Sequence, residues 1–282
     1  MTKIVIIGSD GMLGSAFVKV LSQRKQEIIA LTIKDIDITQ LQSVNHLKDY
    51  EFDIIINCAA FTAVDQAETD QSMAYSVNSL GVKNLAIFAS ENNKKLVHFS
   101  TDYVFAGDKK LYIESDSTGP ISIYGKSKLE GEQEIQRILD INQYLILRTA
   151  WLYGPNGKNF VKTMLNLAQT RNEINVVGDQ YGAPTYSFDL VAWTLALVDM
   201  GSCGIYHAVN SGSSSWCLFA KRIFQMQKQK VQVNCISTEE YPTPASRPKY
   251  SILCNKKLEK VLSYKIRKWE EALSEYLISI NI

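Results

Sequence analysis

The chain is poor in histidine, in closely spaced cysteine and in net charge. Its three histidines stand at 46, 98 and 207, and that spacing fits no zinc-ligand pattern. No metal site is assigned. The five cysteines, at 58, 203, 217, 235 and 254, include no C-x-x-C pair and are odd in number. Such usage suits a reducing compartment better than a disulfide framework. Lys and Arg total 30 against 29 for Asp and Glu, a formal net charge of +1. That balance leaves no footprint for nucleic acid or an anionic membrane surface. Long apolar runs are lacking too. Residues 4–7 are too few for a signal-peptide core and no small-residue cleavage pattern follows. The stretch around 190–198 reads as a helix far below a membrane span. A cytoplasmic enzyme, with no nucleic-acid or membrane partner, is the expectation.

What is present is a chain of 282 residues, 46% apolar and 21% charged. That suffices for one large α/β domain, or for a nucleotide-binding domain with a smaller one appended. In the first half, short aliphatic runs at 4–7, 28–31, 54–56, 96–99 and 145–147 suit strands buried on both faces. Segments of helical period, such as 13–21 and 77–88, lie between them. Strands alternating with helices predict a doubly wound, Rossmann-like parallel sheet, with ligands along the strands' C-terminal edge. Residues 1–150 form this dinucleotide-binding domain and 151–282 mainly a substrate-binding α/β region. A strand near 204–210 returns to the first sheet. Helices are expected at 159–169, 188–198, 216–227 (entered through a serine cap at 213–215) and 269–278, with an irregular proline-bearing loop at 241–248.

Gly8-Ser-Asp-Gly11-Met12-Leu13-Gly14 follows the first strand and opens a helix. Gly8 permits a tight turn, Gly11 lets backbone approach a pyrophosphate at the helix N-terminus, and Gly14 lets helix and strand pack closely. The spacing is G-x-x-G-x-x-G rather than G-x-G-x-x-G. The second strand ends at Thr32, followed by Lys34, with no carboxylate expected beside it to grip a ribose 2′-hydroxyl. Lys34 can meet a 2′-phosphate, which favours NADPH over NADH; otherwise it is a solvated loop charge. Asp37 and Ile38 can flank the adenine. The third run leads into Asn57-Cys58-Ala59-Ala60, whose small side chains leave room for cofactor, and Thr62 can hydrogen-bond it.

Tyr124 and Lys128 form Tyr-x-x-x-Lys at a helix start, on one helix face. An ammonium beside the phenol would lower the tyrosine pKa from its ordinary ~10, tuning it to protonate a carbonyl oxygen as hydride arrives at the carbon. The lysine can also hold the nicotinamide ribose. Thr101, just after the fourth run, stands at the ligand edge, where its hydroxyl can orient Tyr124 and bond a substrate carbonyl.

Glycine motif, hydroxyl residue, Tyr and Lys in this order resemble the extended short-chain dehydrogenases/reductases. Segments 100–105, 124–128, 148–154, 159–164, 179–185 and 241–248 resemble, among these, the dTDP-4-dehydrorhamnose reductase family. The resemblance implies reduction of dTDP-4-dehydro-L-rhamnose at sugar C4 by hydride from NAD(P)H, giving dTDP-L-rhamnose for cell-surface polysaccharide. Tyr124 would be the proton donor, Lys128 its electrostatic partner and Thr101 the carbonyl contact. Asp102 and Trp151 match positions that meet the sugar; the alternative for Trp151 is a core tryptophan. Tyr103, Asn159 and Arg247 are further candidates for sugar or pyrophosphate, with a surface salt bridge the alternative for Arg247. Two departures stand out. Ala150 replaces a frequent Ser. Ala16 stands where some members carry the Glu of a metal-bridged dimer, so a monomer or weak homodimer is expected. The rivals are a nucleotide-sugar epimerase or dehydratase of the same superfamily, and a catalytically silent NADP-binding regulatory subunit.

Overall fold

The structure, a computed structural model, describes residues 2–280. In chain order the first half runs β1 (Ile4–Ile7), α1 (Met12–Gln23), β2 (Ile28–Leu31), α2 (Leu41–Asn45), β3 (Ile54–Asn57), α3 (Val64–Thr69), α4 (Gln71–Tyr75), α5 (Gly81–Glu91), β4 (Lys95–Thr101), α6 (Ile123–Ile138) and β5 (Tyr144–Thr149). The second half runs β6 (Leu152–Tyr153), α7 (Phe160–Ala168), β7 (Glu173–Val177), β8 (Tyr181–Gly182), β9 (Thr185–Tyr186), α8 (Ser187–Asp199), β10 (Gly204–His207), β11 (Ser214–Ser215), α9 (Trp216–Met226), β12 (Gln232–Ile236), α10 (Lys256–Leu262) and α11 (Trp269–Ile280).

Six strands pair in the order β2-β1-β3-β4-β5-β10, every pair parallel. The expected doubly wound sheet is therefore present. β1, β3 and β5 are buried along their whole length, as continuous aliphatic runs predict, while β2 at the edge is partly open. Each face carries its own core. Phe17, Leu21, Leu190 and Trp193 pack on one side, and Val82, Leu85, Phe88 and Ile135 on the other. Fully burying one such side chain contributes roughly 1.5–3 kcal/mol.

β10 returns to pair with β5, as the strand expected near 204–210 should. α8 also packs its Leu190, Val191 and Trp193 into the first-half core. Residue 150 is thus a crossover point of the chain, since part of the second half completes the first layer. The segment 77–88 is not one uniform helix. A π-helical turn, Ser76–Leu80, precedes α5, and its Asn78 both accepts from the Phe61 amide (2.9 Å) and donates to the Phe61 carbonyl (3.0 Å). The turn thereby pins the loop that leaves β3; π-bulges commonly mark functional positions.

A second small sheet, β7 parallel to β12, is packed by α7, α9 and α11 around Val161, Ile174, Phe219, Ile223 and Tyr276. Here one expectation fails. Cys217 at the start of α9 and Cys235 in β12 form a disulfide with Cα atoms 5.4 Å apart. They stand 18 positions apart in sequence, and only the packing of α9 on β12 brings them together, so no local spacing announces the pair. Cys58, Cys203 and Cys254 are free.

Candidate active site

The site lies along the C-terminal edge of the main sheet. Gly8 adopts φ +74°, and a Cβ there would lie 2.8 Å from the Ala59 backbone nitrogen; at Gly14 it would lie 2.1 Å from the Gly8 carbonyl oxygen. Both glycines are therefore sterically required, and they leave a bare-backbone turn between β1, α1 and the Ala59–Ala60 loop. Gly11 is the N-cap of α1, and no side chain caps it. The first-turn amides at Met12 and Leu13 lack intrahelical partners by geometry, and with the helix dipole they suit an anion. Asn156 donates to Ser15 (2.8 Å), so a loop from the second half leans on this helix. A dinucleotide's pyrophosphate fits such a cradle.

The ribose end is built differently from expectation. A carboxylate does reach the end of β2: Asp35 folds back and accepts from both the amide and the hydroxyl of Thr32, each at 2.8 Å. It lies four residues beyond the end of β2, in the turn, where strand-end spacing does not point. Lys34 is exposed. Asp37 is engaged with the amide and hydroxyl of Thr39. Ile38 is buried against Gly81 and accepts from Asn84 (2.8 Å), so its side chain belongs to the core rather than to an open adenine face. Ala59 and Ala60 are half-buried beside the glycine turn, and Thr62 is exposed.

Thr101, Tyr124 and Lys128 converge where β4 ends and α6 begins. α6 starts because Ser122 caps it, accepting from the Gly125 amide at 3.1 Å. The Thr101 hydroxyl donates to Asp102 (3.0 Å), accepts from the Tyr103 amide (3.2 Å) and also meets the Tyr124 phenol. Tyr103 packs edge-on against Tyr124 with ring centres 5.7 Å apart. The expectation that Lys128 lowers the Tyr124 pKa is not met. Burial pushes the phenol up to about 12, opposed by the Thr101 hydroxyl. The lysine is turned inward: its Nζ donates to the Phe99 carbonyl at 2.6 Å and lies 3.3 Å from His98 Nε2. Burial brings Lys128 down to about 8, with Glu132 opposing. Glu132 itself is held by a buried bidentate pair with Arg148 (3.0 and 2.7 Å). Asp102 is buried, and burial raises its carboxyl to about 6 against hydrogen bonds from Ser251 and Thr101.

Beyond this edge opens a cleft of about 960 Å³, walled by Phe160, Met164, Arg171, Gln180, Trp216 and Arg247 among others. Arg247 grips Asp65 bidentately (3.0 and 2.8 Å), so the ion-pair alternative is the one realised. This pair joins the 241–248 loop to α3 across the cleft mouth. Trp151 adopts φ +46°, an uncommon conformation for a bulky residue. Its indole stacks on Trp216 at 3.5 Å, so at least one ring face is covered. Asn159 turns out to serve the fold: it caps α7 through Lys162 (3.0 Å) and donates to the Gly154 carbonyl (2.8 Å). Its neighbour Phe160 is the residue that lines the cleft. Residues not expected at the site are Asp65, Arg171, Gln180 and Trp216. Each becomes a neighbour only through long-range pairing.

A parallel dinucleotide-type sheet bearing Thr, Tyr and Lys on its ligand edge defines a short-chain dehydrogenase/reductase of the extended kind. Comparison with known proteins narrows this. A family model described as the RmlD substrate binding domain matches residues 1–282. The chain is 42% identical to the spore coat polysaccharide biosynthesis protein SpsK of Bacillus subtilis, over 98% of this chain and 97% of that one. It is 41% identical to a dTDP-4-dehydrorhamnose reductase of Aggregatibacter actinomycetemcomitans, covering 97% of each. A crystal structure of dTDP-4-dehydrorhamnose reductase from Bacillus anthracis in complex with NADP superposes with TM-score 0.94 at 41% identity, covering 99% of both chains. The chain belongs to the dTDP-4-dehydrorhamnose reductase family.

Proposed function

We propose that the protein reduces the 4-keto group of dTDP-4-dehydro-L-rhamnose with NADPH, giving dTDP-L-rhamnose for polysaccharide synthesis. The observation that carries this reading is the convergence of Thr101, Tyr124 and Lys128 on the edge that also holds the glycine turn. Bound nicotinamide cofactor supplies a hydride to the carbonyl carbon. The chain does the rest. Tyr124, with its phenol at about 12, is protonated at neutral pH and gives its proton to the carbonyl oxygen as negative charge develops there. The Thr101 hydroxyl meets the phenol, and by turning its one proton from Asp102 it offers a second hydrogen bond to that oxygen. Lys128 holds ribose hydroxyls of the bound cofactor. Asp102, ionised above about pH 6, faces the sugar beside Tyr103.

The Gly8, Gly11, Met12 and Leu13 backbone takes the pyrophosphate, and Ala59, Ala60 and Thr62 border the ribose. Thr32 and Lys34 meet a 2′-phosphate, with Asp37 and the Ile38 backbone near the adenine. NADPH is favoured because Lys34 stands exposed just past the end of β2; the relative bound to NADP agrees. The large cleft takes the nucleoside diphosphate, with Arg247 and Arg171 toward phosphate and Phe160 and Trp216 toward the base. Trp151, stacked on Trp216, closes the deoxysugar end. We place the enzyme in the cytoplasm on the strength of the NADPH-dependent reading above; separately, among the described residues no helix is long and apolar enough to cross a membrane.

The test is an NADPH-consumption assay against dTDP- and UDP-linked 4-keto sugars. Turnover selective for dTDP-4-dehydro-L-rhamnose supports the reading. Binding of NADPH with no turnover on any of them supports the silent regulatory subunit instead.

A further inference from the structure

His98 and Asn57 form a buried chain behind the lysine that the proposed chemistry does not use. β3 and β4 pair so that Asn57 stands opposite His98, and both side chains are almost wholly buried, as is Lys128. Asn57 Oδ1 accepts from the Ala59 amide at 3.1 Å. That bond fixes the amide: its oxygen faces Ala59 and its Nδ2 faces His98 Nδ1, 3.2 Å away. An Asn Nδ2 only donates, so His98 Nδ1 must accept. A neutral imidazole that accepts at Nδ1 carries its proton on Nε2. Nε2 is the atom 3.3 Å from Lys128 Nζ.

An ammonium has three N–H groups and no lone pair. If Lys128 is charged, one donor faces another across that 3.3 Å contact. If Lys128 is a neutral amine, its lone pair accepts from His98 Nε2–H while its own N–H still donates to the Phe99 carbonyl. The other orientation is closed off, because turning the Asn57 amide would set its NH2 against the Ala59 N–H. Groups packed around Lys128 bear on the same balance. Glu132, one turn on along α6, favours the ammonium, but Arg148 from β5 already holds that carboxylate. Tyr124 stands one turn before it on α6.

We propose that His98 is a positioning residue for Lys128: through Asn57 and the Ala59 amide, the cofactor-side loop fixes the His98 Nε2–H tautomer, and that N–H holds the lysine proton loosely. The depressed basicity of His98 itself, caused by burial and by Lys128, fits a ring that stays neutral. The backbone turn that borders the dinucleotide crevice is thereby linked to the charge of the lysine through side chains alone. This goes beyond the reductase reading, and its first test does not depend on it.

The tautomer is measured on full-length protein labelled with 15N-histidine, whose long-range 1H–15N spectrum holds only three imidazoles. His46→Gln and His98→Gln identify the His98 ring. The expected result is the Nε2–H form in the wild-type chain and a switch to Nδ1–H in Asn57→Asp, whose carboxylate can only accept. A wild-type Nδ1–H ring overturns the proposal, as does an Asn57→Asp ring that keeps its proton on Nε2. Should Asn57→Asp not fold, the wild-type tautomer alone decides.

A second test reads the lysine. In His98→Gln the amide oxygen can turn to the ammonium, so the alkaline limb of the pH profile for NADPH oxidation should move up by about one unit, a tenfold change in proton affinity. A limb that stays in place while activity falls assigns His98 a purely structural part and overturns the proposal. Absence of turnover in the wild-type chain would count against the reductase reading and leave the tautomer result standing.

Discussion

The sheet edge and the cleft wall solve the same problem, holding polar groups in fixed positions, in opposite ways. At the edge, Lys128, Glu132 and Arg148 are almost fully buried; Glu132 and Arg148 pair with each other, and Lys128 donates to the Phe99 carbonyl. Across the cleft mouth, Arg247 and Asp65 are a partly exposed pair joining residues 182 positions apart. Below them the wall is tied by a disulfide. A buried network is costly to break and sets chemistry. A half-exposed latch contributes less and can adjust to a ligand. The comparison predicts that damage at the edge appears as lost stability and lost turnover, whereas damage at the wall appears as weaker substrate binding.

The largest stability effect belongs to the edge. Arg148→Met leaves Glu132 buried without its partner and should cost about 3–5 kcal/mol, read from urea unfolding. Replacing both, Glu132→Leu with Arg148→Met, should recover most of that loss. A single Arg148→Met that costs under about 1 kcal/mol would show that the buried pair is not the constraint described.

The wall disulfide comes next. Its closed loop is short, so Cys217→Ala with Cys235→Ala should lower stability by about 2–4 kcal/mol, seen as a drop in thermal midpoint that added reductant does not deepen. NADPH affinity should hold while affinity for dTDP falls. Equal losses for both ligands would erase the distinction between edge and wall.

Smallest is the latch. Arg247→Ala should raise KM for the dTDP-sugar roughly tenfold, about 1.4 kcal/mol, with kcat little changed. Asp65→Asn keeps the guanidinium and loses only its anchor, so it should raise KM less. A fall in kcat without a change in KM would move Arg247 into the chemistry.

The same contrast explains what the sequence could reveal. The strand runs at 4–7, 28–31 and 54–56 appear in the structure within a residue, and so does the order of Gly8, Thr101, Tyr124 and Lys128 along one edge. Those features are local: a strand buried on both faces writes itself as an aliphatic run, and i, i+4 places two side chains on one helix face. β7 and β12 were not legible. Each is a short alternating segment, with Glu173, Asn175 and Gln232 interrupting the apolar run, and each acquires an identity only from its partner. The Cys217–Cys235 bridge, the Asp65–Arg247 pair and the inward turn of Lys128 depend likewise on contacts between distant segments. Asp35 and Asn159 are hidden from the sequence for another reason. Local capping and turn bonds claim their side chains, and that competition is invisible in a motif.

The central claim is that Tyr124 supplies the proton from a site the cofactor can reach. It is tested most directly by measuring NADPH affinity and NADPH-driven turnover of dTDP-4-dehydro-L-rhamnose in wild-type and Tyr124→Phe protein side by side. Unchanged affinity with turnover reduced by about 10²–10⁴ is the predicted result. Near-normal turnover in Tyr124→Phe would contradict the account.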